Sequence, residues 1–190
     1  MGLAASTDPR RLVGYVLIGA AAIAAALSFG KGNRGDDGLI AARERTAMPA
    51  LEMRELDGGL WRLIDHRGHV VAINYWASWC APCWEETPAL VRVSAEMGPA
   101  GLDVVGIAMD EGSPEHAAAK VRHFVETLHV SYPIALPAPM SQMAYGMDGL
   151  PTTVLVDRRG RVAKTYIGVT RETDLRRDIE ILLRESELTP

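Results

Sequence analysis

Two short runs, Val70 to Trp76 and Leu102 to Met109, are almost unbroken in apolar and aromatic residues, and a stretch with helical character, Glu85 to Met97, lies between them. A strand that is apolar at successive positions is buried on both faces, as a central strand covered by helices is. Two such strands around a helix make a β-α-β crossover. Ahead of them, Ala50 to Leu56 and Leu60 to Leu63 flank the turn signal Asp57-Gly58-Gly59 and are predicted as a small lead-in hairpin. Beyond them, Ser113-Pro114-Glu115 carries a capping hydroxyl, a first-turn proline and an acid, so a helix is expected to start there. Ala117, Val121, Phe124, Val125 and Leu128 then recur at helical spacing. Thr152 to Val156 and Val162 to Ile167 flank Asp157-Arg158-Arg159-Gly160 as a hairpin, and a last helix follows Thr170. Pro88 is expected to bend its helix. The pattern is an α/β domain with a mixed sheet.

The first fifty residues read as an address. Leu12 to Gly30 is a run of nineteen residues without a charge, close to the roughly 20 needed to span a bilayer and longer than the core of a signal peptide. Arg10 and Arg11 precede it, which favours a cytoplasmic N-terminus (1–11), a signal-anchor helix (12–30) and a body facing the periplasm or cell exterior. The small-residue triplets of the same run leave a cleaved signal peptide, with a soluble periplasmic body, as the alternative. Residues 31–47 carry three Gly, seven charges and no hydrophobic period, and so read as a flexible linker of roughly 20–25 Å root-mean-square span before a domain at 48–190.

Charge divides along the same boundary. Residues 1–47 are net +2 and residues 48–190 net −6, within a total of −4. An acidic body without clustered positive charge argues against nucleic acid as a partner. Apolar content of 48% excludes a disordered chain.

Two cysteines, Cys80 and Cys83, cannot make a disulfide framework. They follow a central strand and open a helix, where the dipole and unpaired amides lower a thiol's pKa. A thiolate there attacks a client disulfide, and the second thiol breaks the resulting mixed disulfide. Trp79, Ala81 and Pro82 surround the pair and are expected to shield it and restrict its backbone. Two other readings compete. A structural bridge across so small a loop adds little by chain entropy. A zinc site would use His66 and His69 with the pair, although the strand should carry the histidines to the opposite end from the cysteines. Met140, Met143 and Met147 share a helical face and read mainly as gap-filling core. His116, His123 and His129 read as surface residues.

The run Asn74-Tyr75-Trp76-Ala77-Ser78-Trp79-Cys80-Ala81-Pro82-Cys83 resembles the active-site signature of the thioredoxin superfamily, and Gly149-Leu150-Pro151-Thr152-Thr153 resembles its cis-proline loop. Together they are most similar to the membrane-anchored TlpA/ResA-type thiol:disulfide oxidoreductases, over about Met48 to Leu183. The resemblance implies a thioredoxin fold with Cys80 as exposed nucleophile and Cys83 as buried resolving thiol. It places Pro151 after a cis peptide beside the pair, with Trp79 and the Leu150 backbone against an extended client. Where thioredoxin has a buried aspartate this chain has Asn74, which accepts no proton. The resembling proteins carry an acid three residues after the second cysteine, here Glu86, which is therefore expected to act as base toward Cys83; Glu85 points elsewhere and serves as its control. No metal and no cofactor beyond the redox-active pair are implied. The implied partners are exported proteins with disulfides or thiol pairs, including those of cytochrome c and copper-site maturation, and a membrane electron donor. Reduction is the expected direction; a disulfide oxidase or isomerase, or a non-enzymatic copper or zinc chaperone, are the alternatives.

Overall fold

The computed structural model of the protein describes residues 38–136 and 149–185. The expected membrane anchor at 12–30, the cytoplasmic N-terminus and Met140, Met143 and Met147 lie outside the described residues. Within them, no helix is long and apolar enough to cross a membrane.

Among the described residues, seven strands and three α-helices follow in chain order. They are β1 (Glu52–Glu55), β2 (Leu60–Arg62), β3 (Val70–Trp76), α1 (Ala81–Met97), β4 (Leu102–Ala108), α2 (Pro114–Thr127), β5 (Ile134–Leu136), β6 (Thr152–Val156), β7 (Val162–Ile167) and α3 (Glu172–Arg184). The sheet order is β2-β1-β5-β4-β3-β6-β7. β3 is parallel to β4 and β4 to β5, while β1, β6 and β7 pair antiparallel with their neighbours, so the sheet is mixed. All seven residues of β3 are buried, as expected of a strand apolar at every position but Asn74.

Local chemistry explains several of these elements. Glycine is demanded at Gly106, which pairs with Asn74 across β3–β4. A Cβ there would come within 2.7 Å of Trp76 Nε1 and 2.8 Å of Ile134 Cδ1. The space instead admits the Trp76 indole, which stacks on Phe124 of α2 at 4.0 Å. At the β6–β7 turn, Asp157 Oδ1 accepts the backbone N–H groups of Arg159 and Arg161, and Gly160 takes φ +72°. Ser113 caps α2 as expected, with its Oγ accepting the His116 N–H. The cysteine pair opens α1 as expected: the helix begins at Ala81, ahead of the stretch from Glu85 that reads as helical, and Cys80 itself is its cap. The helix continues through Pro88 to Met97.

The linker reading of 31–47 fails over its described part. Leu39 is buried, and the Ile40 N–H donates to Ala163 O at 2.9 Å. Ala42–Glu44 forms a 3-10 turn, and Ala47 bridges Arg161. Arg45 holds the segment: its side chain, 2% exposed, donates to Asp157 Oδ2 at 3.2 Å and to both Glu185 carboxylate oxygens at 2.6 and 2.7 Å. Arg45, a charge that composition assigned to solvent, is thus paired with partners more than a hundred residues away. The segment covers part of the outer edge of β7, an edge that would otherwise invite another chain. Removing Arg45 takes the cation from Glu185 and one of two from Asp157, which keeps Arg161 at 2.8 Å. Arg45→Ala is therefore expected to cost about 2 kcal/mol in urea unfolding, as loss of hydrogen bonds to charged groups does, and a change within about 0.5 kcal/mol, as for an ordinary surface site, would show that the segment is not anchored this way.

Candidate active site

β3 and β4 run parallel and end together: Met109 N–H donates to Trp76 O at 2.7 Å. The chain leaving β3 turns over Ala77 to Cys80, closed by Cys80 N–H to Ala77 O at 3.1 Å. Cys80 is the residue before α1, and its Sγ accepts the Cys83 N–H at 3.2 Å. The two cysteines are joined as a disulfide. Cys80 keeps 5% of its surface exposed and Cys83 1%, so an incoming group has access to Cys80. On reduction, the sulfur at the helix N-terminus is the one that the dipole and free amides favour as thiolate. Ala81 and Pro82 are exposed around it, and Trp79 stands out with 67% exposure.

The neighbouring strand brings the proline loop to the same end of the sheet. Thr152 pairs with Tyr75 and Thr153 with Asn74, so residue 151 emerges where β3 stops. The Leu150–Pro151 peptide is cis, as the resemblance implied. Pro151 is buried, Leu150 half-buried, and Pro151 O accepts the Gly168 N–H at 2.8 Å. That bond brings in the exit of β7. Ile167 and Val169, 57% and 49% exposed, add apolar surface beside Leu150 and Pro151. Sequence reading passed over both; the available signal was an Ile-Gly-Val exit from a strand whose outward positions are otherwise polar.

Glu86 lies one turn after Cys83 on α1 and is 3% exposed, whereas Glu85 faces solvent. Its Oε2 accepts from Asn74 Nδ2 at 2.9 Å, and its Oε1 from the Thr170 N–H at 2.8 Å. Burial pushes the Glu86 carboxyl above the ordinary carboxylate range, with the bonds from Thr170 and Asn74 opposing it. Asn74 donates a second time, to Thr153 Oγ1 at 2.9 Å, so one amide joins the carboxylate to the strand behind Pro151. Tyr132 is nearby: its hydroxyl is pushed up by burial and by the Glu86 charge. A buried acid that binds a proton readily, on the helix face of a buried sulfur, is equipped to exchange a proton with that sulfur.

The zinc alternative does not assemble. His66 Nδ1 and His69 Nδ1 both meet Asp103 Oδ2, at 2.7 and 2.8 Å, at the start of β3. The cysteines follow its far end, about 20 Å away for a strand of that length. Among the described residues no group of three or more His, Cys, Asp or Glu is arranged to hold a metal ion. His116, His123 and His129 are exposed.

Known proteins place this arrangement. The family model for Redoxin matches residues 43–181. Thiol-disulfide oxidoreductase ResA of Geobacillus thermodenitrificans is 31% identical over 133 residues, which cover 70% of this chain and 74% of that protein. Thioredoxin-like protein YneN of Bacillus subtilis is 25% identical over 75% of this chain and 82% of its own. Among solved structures, a putative thiol:disulfide interchange protein DsbE from Chlorobium tepidum superposes with a TM-score of 0.65 at 25% identity, covering 73% of this chain and 96% of that one. A secreted thiol-disulfide isomerase from Corynebacterium glutamicum gives 0.68 at 26% identity, over 77% and 91%. The chain belongs to the Redoxin family, and within the thioredoxin superfamily it is a thiol:disulfide oxidoreductase of the TlpA/ResA type.

Proposed function

We propose that this oxidoreductase reduces disulfides in exported client proteins, with Cys80 attacking, Cys83 resolving and Glu86 serving as base. The observation that carries the reading is Glu86, buried on the Cys83 face of α1 and raised in pKa although two donors hold it. Starting from the dithiol, the Cys80 thiolate attacks one sulfur of the client disulfide; a protein–client bond forms and a client thiolate leaves. Glu86 takes the Cys83 proton, the Cys83 thiolate attacks Cys80 Sγ, and the second client thiolate leaves. The client gains two electrons and the pair returns to the disulfide. Trp79, the backbone of Leu150, Pro151, Ile167 and Val169 form the surface on which an extended client segment lies. The pair is its own redox carrier and requires no further cofactor.

Recovery of the dithiol calls for an outside donor. The uncharged run at 12–30 supports a protein held at the cytoplasmic membrane with its body outside, next to a membrane protein that delivers electrons. Apocytochromes c and copper-site proteins, whose cysteines must be reduced before they take their metal groups, are clients of fitting chemistry.

In a Cys83→Ser protein, clients are expected to accumulate on Cys80 as reducible adducts recovered with the membrane fraction; adducts confined to cytosolic proteins would refute the placement. Glu86→Gln is expected to slow resolution on the order of 100-fold, as loss of a general base does, and Glu85→Gln to leave it near wild type. Equal effects in single-turnover kinetics remove Glu86 from the mechanism. The raised Glu86 carboxyl has a thermodynamic consequence as well. Folded protein keeps that proton over a window where the unfolded chain has lost it, so stability falls as pH rises from the ordinary Glu value through the raised one. Oxidised wild type should lose stability relative to Glu86→Gln across that window, by at most about 1.4 kcal/mol per pH unit. Urea midpoints against pH check this, and a constant difference contradicts it.

A further inference from the structure

The parallel register of β3 and β4 sets Trp76 opposite Ala108, and continuing it two residues brings Ser78 beside Asp110. The contact is made. Asp110 Oδ2 accepts the Ser78 N–H at 2.9 Å, and Asp110 Oδ1 accepts the Ser78 hydroxyl. The remaining polar group of Ser78, its carbonyl, accepts Trp84 Nε1–H at 2.9 Å. Trp84 stands in the first turn of α1 and packs edge-on against Phe124 of α2, with ring centroids 4.5 Å apart. Every polar group of Ser78 is thus held from outside its own turn, by a strand end on one side and a helix on the other. Ser78 is an interior residue of the turn that Cys80 closes onto Ala77, and Trp79, at 67% exposure, is the other.

Thiol–disulfide exchange is demanding in direction, because the attacking sulfur must approach along the axis of the bond it breaks. Alkylation by a small reagent in free solution is not, because the reagent turns to meet the thiolate. A turn held at one residue from two sides fixes the direction from which Cys80 presents its sulfur, and small misplacements of reacting groups carry large rate penalties.

We propose that Asp110 is a positioning residue for Cys80: through Ser78 it fixes the turn so that the sulfur is delivered in line with a client disulfide and Trp79 is presented to the client. The proposal rests on the reading of Cys80 as the attacking cysteine. Asp110 touches neither sulfur nor client in this role and acts through Ser78 alone.

The test uses the full chain with Cys83→Ser, so that one thiol remains, and compares two rates at the same pH. One is alkylation of Cys80 by iodoacetamide; the other is attack of Cys80 on a disulfide-bonded peptide. Asp110→Ala is expected to lower the peptide rate about tenfold against the alkylation rate, with the Trp84 indole N–H resonance displaced. Asp110→Asn, which keeps an acceptor, should recover most of the loss, and Ser78→Ala, which keeps the N–H bond, should fall between. A general loss of structure or of thiolate moves both rates together; parallel changes, no change, or a fall in alkylation alone would each overturn the proposal. If Asp110→Ala does not fold, the Asp110→Asn and Ser78→Ala rate ratios decide it, and a ratio equal to that of the parent in both overturns it. A parent protein whose Cys80 forms no adduct with the peptide would instead defeat the assignment of Cys80 as attacker.

Discussion

A carboxylate excluded from water is the constraint around which this molecule is arranged. Glu86 is buried in α1, and its two oxygens are held by Asn74 of β3 and by the Thr170 N–H just ahead of α3. Withdrawing a charged carboxylate from water is costly, and the two donors offset part of that cost while the carboxyl stays raised above its ordinary range. Their placement depends on much of the fold. β3 must pair with β6 in the register that sets Asn74 opposite Thr153, and β7 must return close enough for Thr170 to reach α1. The cis bond before Pro151 and the Gly168 contact to Pro151 O lie on the same path. One polar knot therefore ties the helix carrying the cysteines to the strands carrying Pro151 and Ile167.

The two ends of the sheet are put to different uses. At one end β3 and β4 run out into the cysteine turn, Asp110 and the proline loop, the end of parallel strands where α/β proteins place their ligands. Trp79, Ile167 and Val169 are left exposed there. At the other end polar side chains are tied together: Arg45 in ion pairs with Asp157 and Glu185, and the rings of His66 and His69 against Asp103. The histidines that composition offered as ligands are spent on a carboxylate at the pole remote from the sulfurs.

What could be read from the chain was what is written locally. Val70–Trp76 and Leu102–Ala108 announce themselves by almost continuous apolar sequence, Thr152–Val156 and Val162–Ile167 by the turn between them, Ser113 by its capping pattern, and Cys80, Cys83 and Pro151 by motifs a few residues long. Glu86 was legible through the family resemblance, with helical spacing in support, since i and i+3 share a face. Other features depend on partners distant in sequence. Arg45 looks like a solvated linker charge until Asp157 and Glu185 are beside it. Asp110 becomes meaningful only through the register that sets it against Ser78. β5, three residues before a proline, is too short for a period to show, and only pairing with β4 and β1 makes it a strand.

A pair that serves as a reductant must favour its own disulfide, and the base role proposed for Glu86 toward Cys83 would complete its turnover without making it a strong oxidant. The measurement that bears most directly on this is the equilibrium reduction potential of the Cys80–Cys83 pair, taken against a glutathione or thioredoxin reference. A reductant of exported clients requires a value toward the thioredoxin end of the known range, near about −270 mV. A value near about −120 mV would make the pair a donor of disulfides and contradict the direction proposed for it.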